Sequence, residues 1–153
     1  MKVTARGLAL ALPLGLLGGA YISQYVFGLY PCEMCWWQRY PHFAALVFAL
    51  AAVVQPRQKL WPMLAALAIL TSGLIGAFHA GVEYHWWEGI TGCATTAQAG
   101  GDPLAAILNA PIVRCDVPAW TLFGISLAGF NFLISTVGAL AILALLRREG
   151  AKA

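Results

Sequence analysis

The chain has 153 residues, of which 61% are hydrophobic and only 10% are charged, and its mean hydropathy is +0.76. Soluble domains carry roughly 25% charged residues, so this composition excludes an ordinary soluble globular protein. The formal net charge of +3 comes from nine Lys and Arg residues and gives no reason to expect a nucleic-acid partner. We therefore expect a single membrane domain over residues 1–153.

Four segments are apolar enough to form transmembrane helices, for which ~20 residues suffice. The expected spans are residues 8–30, 36–54, 61–82 and 120–146. The second span reaches full length only if it includes Arg39 in its first turns. The period-two alternation of transmembrane β-strands is missing from these segments. The sequence therefore predicts an all-α fold, a bundle of four transmembrane helices with a two-cysteine loop over residues 83–118.

The start of the chain allows a second interpretation. Residues 1–20 have a basic beginning, an apolar stretch and a small-residue end, which resembles a cleavable signal peptide. The apolar run continues as far as Gly28, so we favour an uncleaved first span. Cleavage would leave the topology of the other three spans unchanged.

The basic residues lie mainly on one side of the predicted membrane. All but two of the nine fall at the first, middle and last turning points of the chain: Lys2, Arg6, Arg57, Lys59, Arg147, Arg148 and Lys152. By the positive-inside rule this side is the cytoplasm. We expect both termini there, with Arg39 and Arg114 on the opposite side.

All four cysteines fall on that opposite side. Cys32 and Cys35 lie in the short link before the second span, and Cys93 and Cys115 lie in the loop of residues 83–118. Disulfides persist in a bacterial periplasm or a similar oxidising compartment. Four cysteines allow three connectivities, of which proximity in sequence favours Cys32 with Cys35 and Cys93 with Cys115.

The Pro-Cys-Glu-Met-Cys segment at residues 31–35 is typical of a redox pair. We expect Cys35 at the N-terminus of the second span, where the helix dipole favours a thiolate and the cation of Arg39 lies one turn onward. A polar stripe with helical spacing follows: Cys35, Gln38, Arg39 and His42. It should face the bundle interior or the membrane surface. Pro41 complicates this expectation, because a regular helix that starts near Gln38 would leave Cys35 outside it.

Three plainer interpretations of these residues stay open. Cys32 and Cys35 could form a static disulfide that staples the outer surface. Arg39 could merely extend its guanidinium to lipid headgroups. A zinc site could use all four cysteines, although the long separation of Cys93 and Cys115 differs from the short spacing usual in such sites.

The Pro-Cys-x-x-Cys motif, the arginine four residues after its second cysteine, the four spans and the two-cysteine loop together resemble the disulfide bond formation protein B (DsbB) family. The resemblance covers nearly the whole chain. It implies a quinone-dependent protein-disulfide oxidoreductase in the bacterial inner membrane, with periplasmic cysteines and a role in protein folding. One pair would accept electrons from a periplasmic DsbA-like thiol oxidase, and the other would pass them to ubiquinone or menaquinone.

The resemblance also implies roles for individual residues. Carried onto this chain, Cys93 is attacked by the thiolate of the partner, and Cys115 relays to Cys32. Cys35 is then the thiolate that meets the quinone. Arg39 matches the quinone-site arginine of the family and would stabilise negative charge on the thiolate and on a quinone oxygen.

Further residues near the outer side have less specific signals. His79 looks like the histidine that the family places beside the quinone, but a hydrogen bond across helices is the alternative. Two tryptophan pairs are expected to anchor the protein at the membrane interface: Trp36, Trp37, Trp86 and Trp87. Asp102 and Pro103 are typical of a helix start, which predicts a short surface helix in the loop.

The sequence leaves two rival functions open. A quinone-linked membrane thiol oxidoreductase of the vitamin K reductase type also combines four spans with two cysteine pairs, but its redox motif typically lies near a later span. A non-enzymatic membrane protein with two inert disulfides is the other rival. No metal cofactor is expected in the favoured interpretation.

Overall fold

The computed structural model describes residues 4–91, 94–95 and 112–150. These residues form four helices: α1 (Ala5–Tyr25), α2 (Glu33–Val54), α3 (Leu60–Glu83) and α4 (Leu127–Gly150). Two short antiparallel strand pairs accompany them: β1 (Ala94–Thr95) with β2 (Ile112–Val113), and β3 (Thr121–Leu122) with β4 (Ile125–Ser126). The predicted helical fold class is confirmed. Cys93 and the helix start expected at Asp102 and Pro103 lie outside the described residues.

Each helix packs against its neighbours in the chain, and α1 completes the bundle by packing against α4. Small side chains dominate the centre of the bundle, where they let the helix backbones approach closely. The fully buried members of this core are Ala5, Ala9, Ala45, Ala49, Ala65, Ala66, Ile69, Ala139 and Ile142.

Two glycines of α3 set its distance from α4. A Cβ atom at Gly76 would lie 2.9 Å from the main-chain oxygen of Ala128, and one at Gly73 would lie 3.0 Å from Oγ1 of Thr136. Side chains at either position would push the two helices apart. This close contact brings the polar residues of α4 within hydrogen-bonding reach of α3 and α2.

Three helices among the described residues are long and apolar enough to cross a membrane: Ala5–Tyr25, Leu60–Glu83 and Leu127–Glu149. The helix α2 is of similar length but is not one of them. Its first half carries Glu33, Gln38, Arg39 and His42, which lower its hydropathy. The hydropathy of α2 by itself therefore does not mark this helix as a span.

The first and last helices are shorter than the apolar runs that predicted them. α1 begins after Thr4, whose Oγ1 accepts a hydrogen bond from the Gly7 nitrogen at 3.1 Å, and it ends at Tyr25. α4 begins only at Leu127 because residues 121–126 form the β3–β4 hairpin. Its two turn residues, Phe123 and Gly124, both have positive φ angles (52° and 78°), which is typical of a type I′ turn.

The two ends of the bundle differ in chemistry. Main-chain nitrogen of Ala5 donates to Oε1 of Glu149 at 3.3 Å, and Arg6 donates to the main-chain oxygen of Pro56. The start of α1, the α2–α3 turn and the end of α4 therefore meet at one end of the bundle, where the described basic residues other than Arg39 and Arg114 are found. The three described cysteines lie at the opposite end, near the start of α2.

Candidate functional site

The first turn of α2 positions the Cys-x-x-Cys motif. Cys32 is the N-cap of the helix, and its sulfur accepts a hydrogen bond from the Cys35 nitrogen at 3.4 Å. The helix begins at Glu33 and continues through Pro41, so Cys35 lies within its first turn. The alternative in which Pro41 leaves Cys35 outside the helix is therefore wrong.

The structure describes three free thiols, those of Cys32, Cys35 and Cys115, and they lie close together. The sulfur of Cys32 lies 3.0 Å from the sulfur of Cys35 and 3.6 Å from Nε2 of His79. Cys115, which follows β2, also contacts Cys32 through its side chain, and both residues are buried. The structure thus brings a cysteine of the long loop into contact with the motif, and Cys32 is the sulfur shared by both neighbours.

The surroundings keep two of these thiols protonated. Hydrogen bonding to Cys115 lowers the pKa of Cys32, but hydrogen bonding to Cys35 and burial outweigh it and raise that pKa to about 12. Hydrogen bonding to Cys32 and burial also raise the pKa of Cys115. Burial acts in this direction because it penalises the charged thiolate. Both residues are therefore neutral thiols at physiological pH in the reduced protein.

A charged pair flanks Cys115 in the sequence. The Nε of Arg114 donates to Oδ1 of Asp116 at 2.8 Å, and both side chains are exposed. This hydrogen bond lowers the pKa of Asp116 to about 2. The carboxylate is therefore ionised at every pH at which thiol exchange is fast.

A cavity of about 410 Å³ opens beside Cys35, between α1, α2 and α4. Its wall is mostly apolar, and its size falls within the range of about 300–1,000 Å³ common for small-molecule sites. The polar stripe predicted on α2 lies in this wall: Cys35, Gln38, Arg39 and His42. Gln38, Arg39 and His42 are buried, so of the two orientations expected for the stripe, the structure shows the one that faces the bundle interior.

Arg39 is a buried cation held by neutral groups. Its guanidinium donates to Oε1 of Gln24 at 2.7 Å and to the main-chain oxygen of Ala20 at 3.3 Å. The rings of Tyr21 and Trp36 each lie 4.9 Å from its central carbon. Among the described residues, the contacts between a basic side chain and a carboxylate are His79 with Glu83 and Arg114 with Asp116, so Arg39 has no carboxylate partner there. A buried cation in this state favours an anionic or electron-rich ligand.

A network of hydrogen bonds continues from the cysteines into the bundle. Gln38 Nε2 lies 2.8 Å from Nδ1 of His79, and Gln38 Oε1 accepts from Nδ2 of Asn131 at 2.8 Å. The Oδ1 atom of Asn131 lies 3.0 Å from Nε2 of His42. Side chains from three helices are thereby joined in one chain of contacts. Buried polar groups normally find partners in this way.

His79 occupies a different place from the one its resemblance implied. It contacts the sulfur of Cys32 and the amide of Gln38, and its Nε2 lies 3.8 Å from Oε1 of Glu83. The described residues that line the cavity do not include it. A quinone contact by His79 stays a prediction, whereas the hydrogen bond across helices that was its alternative is present.

The tryptophans near this end have internal contacts as well as exposed surface. Trp36 stacks beside Arg39, and Trp87 donates from Nε1 to the main-chain oxygen of Phe78 at 2.9 Å. A Cβ at Gly81 would overlap the Trp87 ring. Trp86 is 70% exposed, as an interfacial anchor would be.

Sequence reasoning missed Asn131, Ser72, Gln24 and Tyr21. Asn131 carried a signal that could have been used, because it is the only amide side chain in the predicted fourth span. Polar side chains within membrane spans are costly and often functional. The partners of Arg39 on α1 had no comparable signal, since their closeness to α2 depends on helix packing.

Long apolar helices gather three free thiols at one end, beside a cavity whose cation has no carboxylate partner among the described residues. This combination is typical of a membrane protein with thiol-disulfide chemistry. The family model described as "Disulfide bond formation protein DsbB" matches residues 2–145. The chain belongs to this family. It is therefore a membrane protein that takes part in disulfide bond formation.

Individual relatives agree with the family assignment. The chain is 32% identical over 145 residues to disulfide bond formation protein B of Acidovorax sp. strain JS42, covering 86% of this chain and 79% of the relative. It is 33% identical over 143 residues to the protein of the same name from Paracidovorax citrulli, covering 85% and 78%. An uncharacterized protein of Rickettsia prowazekii is 27% identical over 125 residues, covering 78% and 73%. No solved structure matches the chain.

Proposed function

We propose that the protein is a quinone-dependent thiol oxidoreductase that reoxidises a periplasmic DsbA-like dithiol oxidase. One observation carries the proposal: Cys35 and the buried Arg39 line the same cavity, while Cys32 touches both Cys35 and Cys115. A thiol pair is thereby connected on one side to a loop cysteine and on the other to a ligand cavity. An oxidoreductase that moves electrons from a soluble partner to a membrane carrier needs both connections.

The residues of the cavity fit a quinone. A quinone has a flat ring with two acceptor oxygens and an apolar tail, and it supplies an acceptor for two electrons and two protons when bound. Arg39 can donate to an oxygen of such a ring, and Tyr21 and Trp36 already place aromatic faces beside the guanidinium. Apolar residues of α1 and α4, including Leu16 and Ile134, can hold the tail.

The thiols of the chain would perform the relay by ordinary exchange. When the partner's thiolate attacks Cys93, the Cys93–Cys115 disulfide would break and release Cys115 as a thiolate. With Cys32 and Cys35 as a disulfide, that thiolate attacks the sulfur of Cys32. The Cys32–Cys115 bond forms as the Cys32–Cys35 bond breaks, and Cys35 leaves with the electron pair as a thiolate. Arg39 one helical turn onward, together with the start of the helix, would stabilise that thiolate. This order of exchange fits the structure because Cys32 contacts both Cys35 and Cys115.

The remaining parts of the proposal rest on the family. Cys93 would receive the thiolate of the partner and would be paired with Cys115 in the resting state. α2 would be the fourth span, since its polar stripe faces the bundle instead of lipid. The basic end of the bundle would face the cytoplasm of a bacterium, and the cysteine end would face the periplasm.

The rival functions predict other arrangements. An inert disulfide at Cys32 and Cys35 gives no reason for a buried Arg39 that has no carboxylate partner among the described residues, or for a cavity beside it. Membership of the DsbB family favours the proposed enzyme over the vitamin K reductase type. A static membrane protein would also show no exchange with an added dithiol.

Turnover by the purified full-length protein tests the proposal. In detergent with decyl-ubiquinone, it should oxidise a reduced thioredoxin-like dithiol protein while the quinone absorbance falls. Cys35→Ser should abolish quinone reduction, whereas Thr71→Ala, an exposed position on α3, should leave it unchanged. Full activity of the Cys35→Ser variant would refute the mechanism.

A further inference from the structure

Two main-chain carbonyls fix the orientation of both amides in the polar network. The oxygen of Met34 accepts from Gln38 Nε2 at 3.2 Å, and the oxygen of Ser72 accepts from Asn131 Nδ2 at 3.1 Å. A carbonyl oxygen can only accept, so the amide atom that faces it has to be nitrogen. Turning either amide over would place two oxygens against each other. The direction of the whole network follows from these two contacts.

The orientation of Gln38 determines which nitrogen of His79 carries a proton. Gln38 Nε2 uses one hydrogen on Met34 and directs the other at Nδ1 of His79, 2.8 Å away. Nδ1 must therefore be the acceptor of the ring, which leaves the proton on Nε2. That N–H faces the sulfur of Cys32 at 3.6 Å and Oε1 of Glu83 at 3.8 Å. His79 is thus a donor towards the thiol cluster.

This tautomer also decides a question about metal binding. The ligand atoms of Cys32, Cys35 and His79 all lie within 4.8 Å of one another, as in a site for a soft metal ion. A metal would bind the Nε2 lone pair of His79 and would require the proton on Nδ1. Gln38 offers Nδ1 a hydrogen instead of an acceptor. The network therefore opposes a metal at this cluster.

The orientation of Asn131 fixes the second histidine in the same way. Nδ2 of Asn131 donates to Gln38 and Ser72, so its Oδ1 faces Nε2 of His42 at 3.0 Å. Oδ1 also accepts from Oγ of Ser135 at 2.9 Å. His42 accordingly carries its proton on Nε2, and its Nδ1 presents a lone pair.

That lone pair is the unused acceptor of the site. The Nδ1 atom of His42 is buried and has no hydrogen-bond partner among the residues that the structure describes. The side chain is 3% exposed and belongs to the wall of the cavity. A buried acceptor without a donor costs free energy, which a ligand can recover by donating to it.

We propose that His42 recognises a hydroxyl group of the ligand in the cavity and therefore prefers the reduced, hydroxyl-bearing form of a quinone. This assignment of the ligand rests on the proposed function. An oxidised quinone offers only acceptor oxygens, which suit Arg39 but cannot donate to His42. The hydroquinone offers O–H donors, so it gains a contact that the oxidised form lacks. Gln38 and Asn131 are the positioning residues that fix both histidines in this state.

The tautomers can be measured without any ligand. In full-length protein labelled with 15N-histidine in lipid nanodiscs, a His85→Asn background leaves two histidines. Both should show a protonated Nε2 and an unprotonated Nδ1. Gln38→Glu replaces the donor with an acceptor and should move a proton onto Nδ1 of His79, whereas Thr71→Ala, an exposed position on α3, should leave both tautomers unchanged. A protonated Nδ1 at His42, or no response to Gln38→Glu, would overturn the assignment.

The preference for the reduced ligand is measured by binding. Tryptophan fluorescence under anaerobic conditions can report the affinity for decyl-ubiquinone and for its hydroquinone. His42→Phe should weaken hydroquinone binding about three- to tenfold, the effect of one hydrogen bond, with quinone binding changed less than about twofold. His85→Asn serves as the matched control and should change neither affinity.

The outcomes separate this inference from the proposed function. If the wild type binds the quinone and His42→Phe weakens both forms equally, the recognition role is wrong and the proposed function stands. If His42→Phe binds the hydroquinone as tightly as the wild type does, the recognition role is also wrong and the proposed function stands. If the wild type binds neither form, both the proposed function and the role of His42 are overturned.

Discussion

The sulfur atoms of Cys32 and Cys35 lie 3.0 Å apart in the first turn of α2. This separation is about 1 Å longer than a disulfide bond, so oxidation requires only a small adjustment of the side chains. Cys32 also packs against Cys115. The same sulfur can therefore form a disulfide with either neighbour, as a relay between two cysteine pairs requires.

The contact between Cys32 and Cys115 predicts a specific cross-link. In a variant with Cys35→Ala and Cys93→Ala, mild oxidation should join Cys32 to Cys115 in most molecules. The matched variant with Cys32→Ala and Cys93→Ala keeps Cys35 and should cross-link to Cys115 more slowly, because Cys115 packs directly on Cys32. Mass spectrometry of peptides under non-reducing conditions measures both. Equal cross-linking in the two variants would contradict the packing.

Arg39 should affect quinone reduction much more than exchange with the partner. Arg39→Ala should slow quinone reduction roughly 100-fold, because it removes a preorganised cation from the place where negative charge develops. Arg39→Lys should be intermediate, since it keeps the charge but loses the planar donor group that bridges Gln24 and Ala20. The two steps can be followed by quinone absorbance and by trapping of the mixed disulfide. Equal loss in both would point to general destabilisation instead.

The raised pKa of Cys32 predicts slow alkylation of the reduced protein. With a pKa of about 12 in place of 9.0, the thiolate fraction of Cys32 at pH 8 is roughly a thousandfold below that of an ordinary cysteine. The alkylation rate should rise about tenfold per pH unit from pH 7 to 10 without levelling off near 9. Peptide mapping after timed alkylation measures this rate. A plateau below pH 10 would contradict the raised pKa.

The raised pKa of Cys32 also makes the free energy of unfolding depend on pH. The unfolded chain ionises Cys32 near its ordinary pKa, whereas the folded protein retains the proton until about pH 12. The stabilisation is therefore present below about pH 9 and is lost as the pH rises from about 9 towards 12. The apparent midpoint of thermal unfolding of the reduced protein should fall over this interval. Cys32→Ala should reduce the fall.

Gly76 should be intolerant of a side chain. Gly76→Ala places a Cβ 2.9 Å from the main-chain oxygen of Ala128, so α3 and α4 have to separate. We expect a loss of about 1–3 kcal/mol in the free energy of unfolding, as is typical of overpacking. Gly18→Ala is the control, because its Cβ meets no atom within 4 Å. Thermal unfolding in detergent compares the two, and similar stabilities would show that the helix contact is less close than the structure indicates.

Much of the fold could be predicted from the sequence because hydrophobic length and charge position act locally. Uninterrupted apolar runs predicted α1, α3 and α4, and the helical spacing of Gln38, Arg39 and His42 predicted one polar face on α2, which the structure shows to be buried. The predicted ends of the helices were less accurate. Turn geometry at Phe123 and Gly124 replaces the expected start of the last span by a hairpin, and hydropathy alone does not detect this.

The sequence by itself determined that this is a helical membrane protein of the DsbB family with its redox motif at the start of α2. Only the tertiary structure decided that Cys115 meets Cys32, that His79 lies on Cys32 outside the cavity, and that Asn131 links Gln38 to His42. These contacts join residues distant in the chain. Their distances depend on how closely α2, α3 and α4 pack, which is set by side-chain volumes at positions such as Gly73 and Gly76.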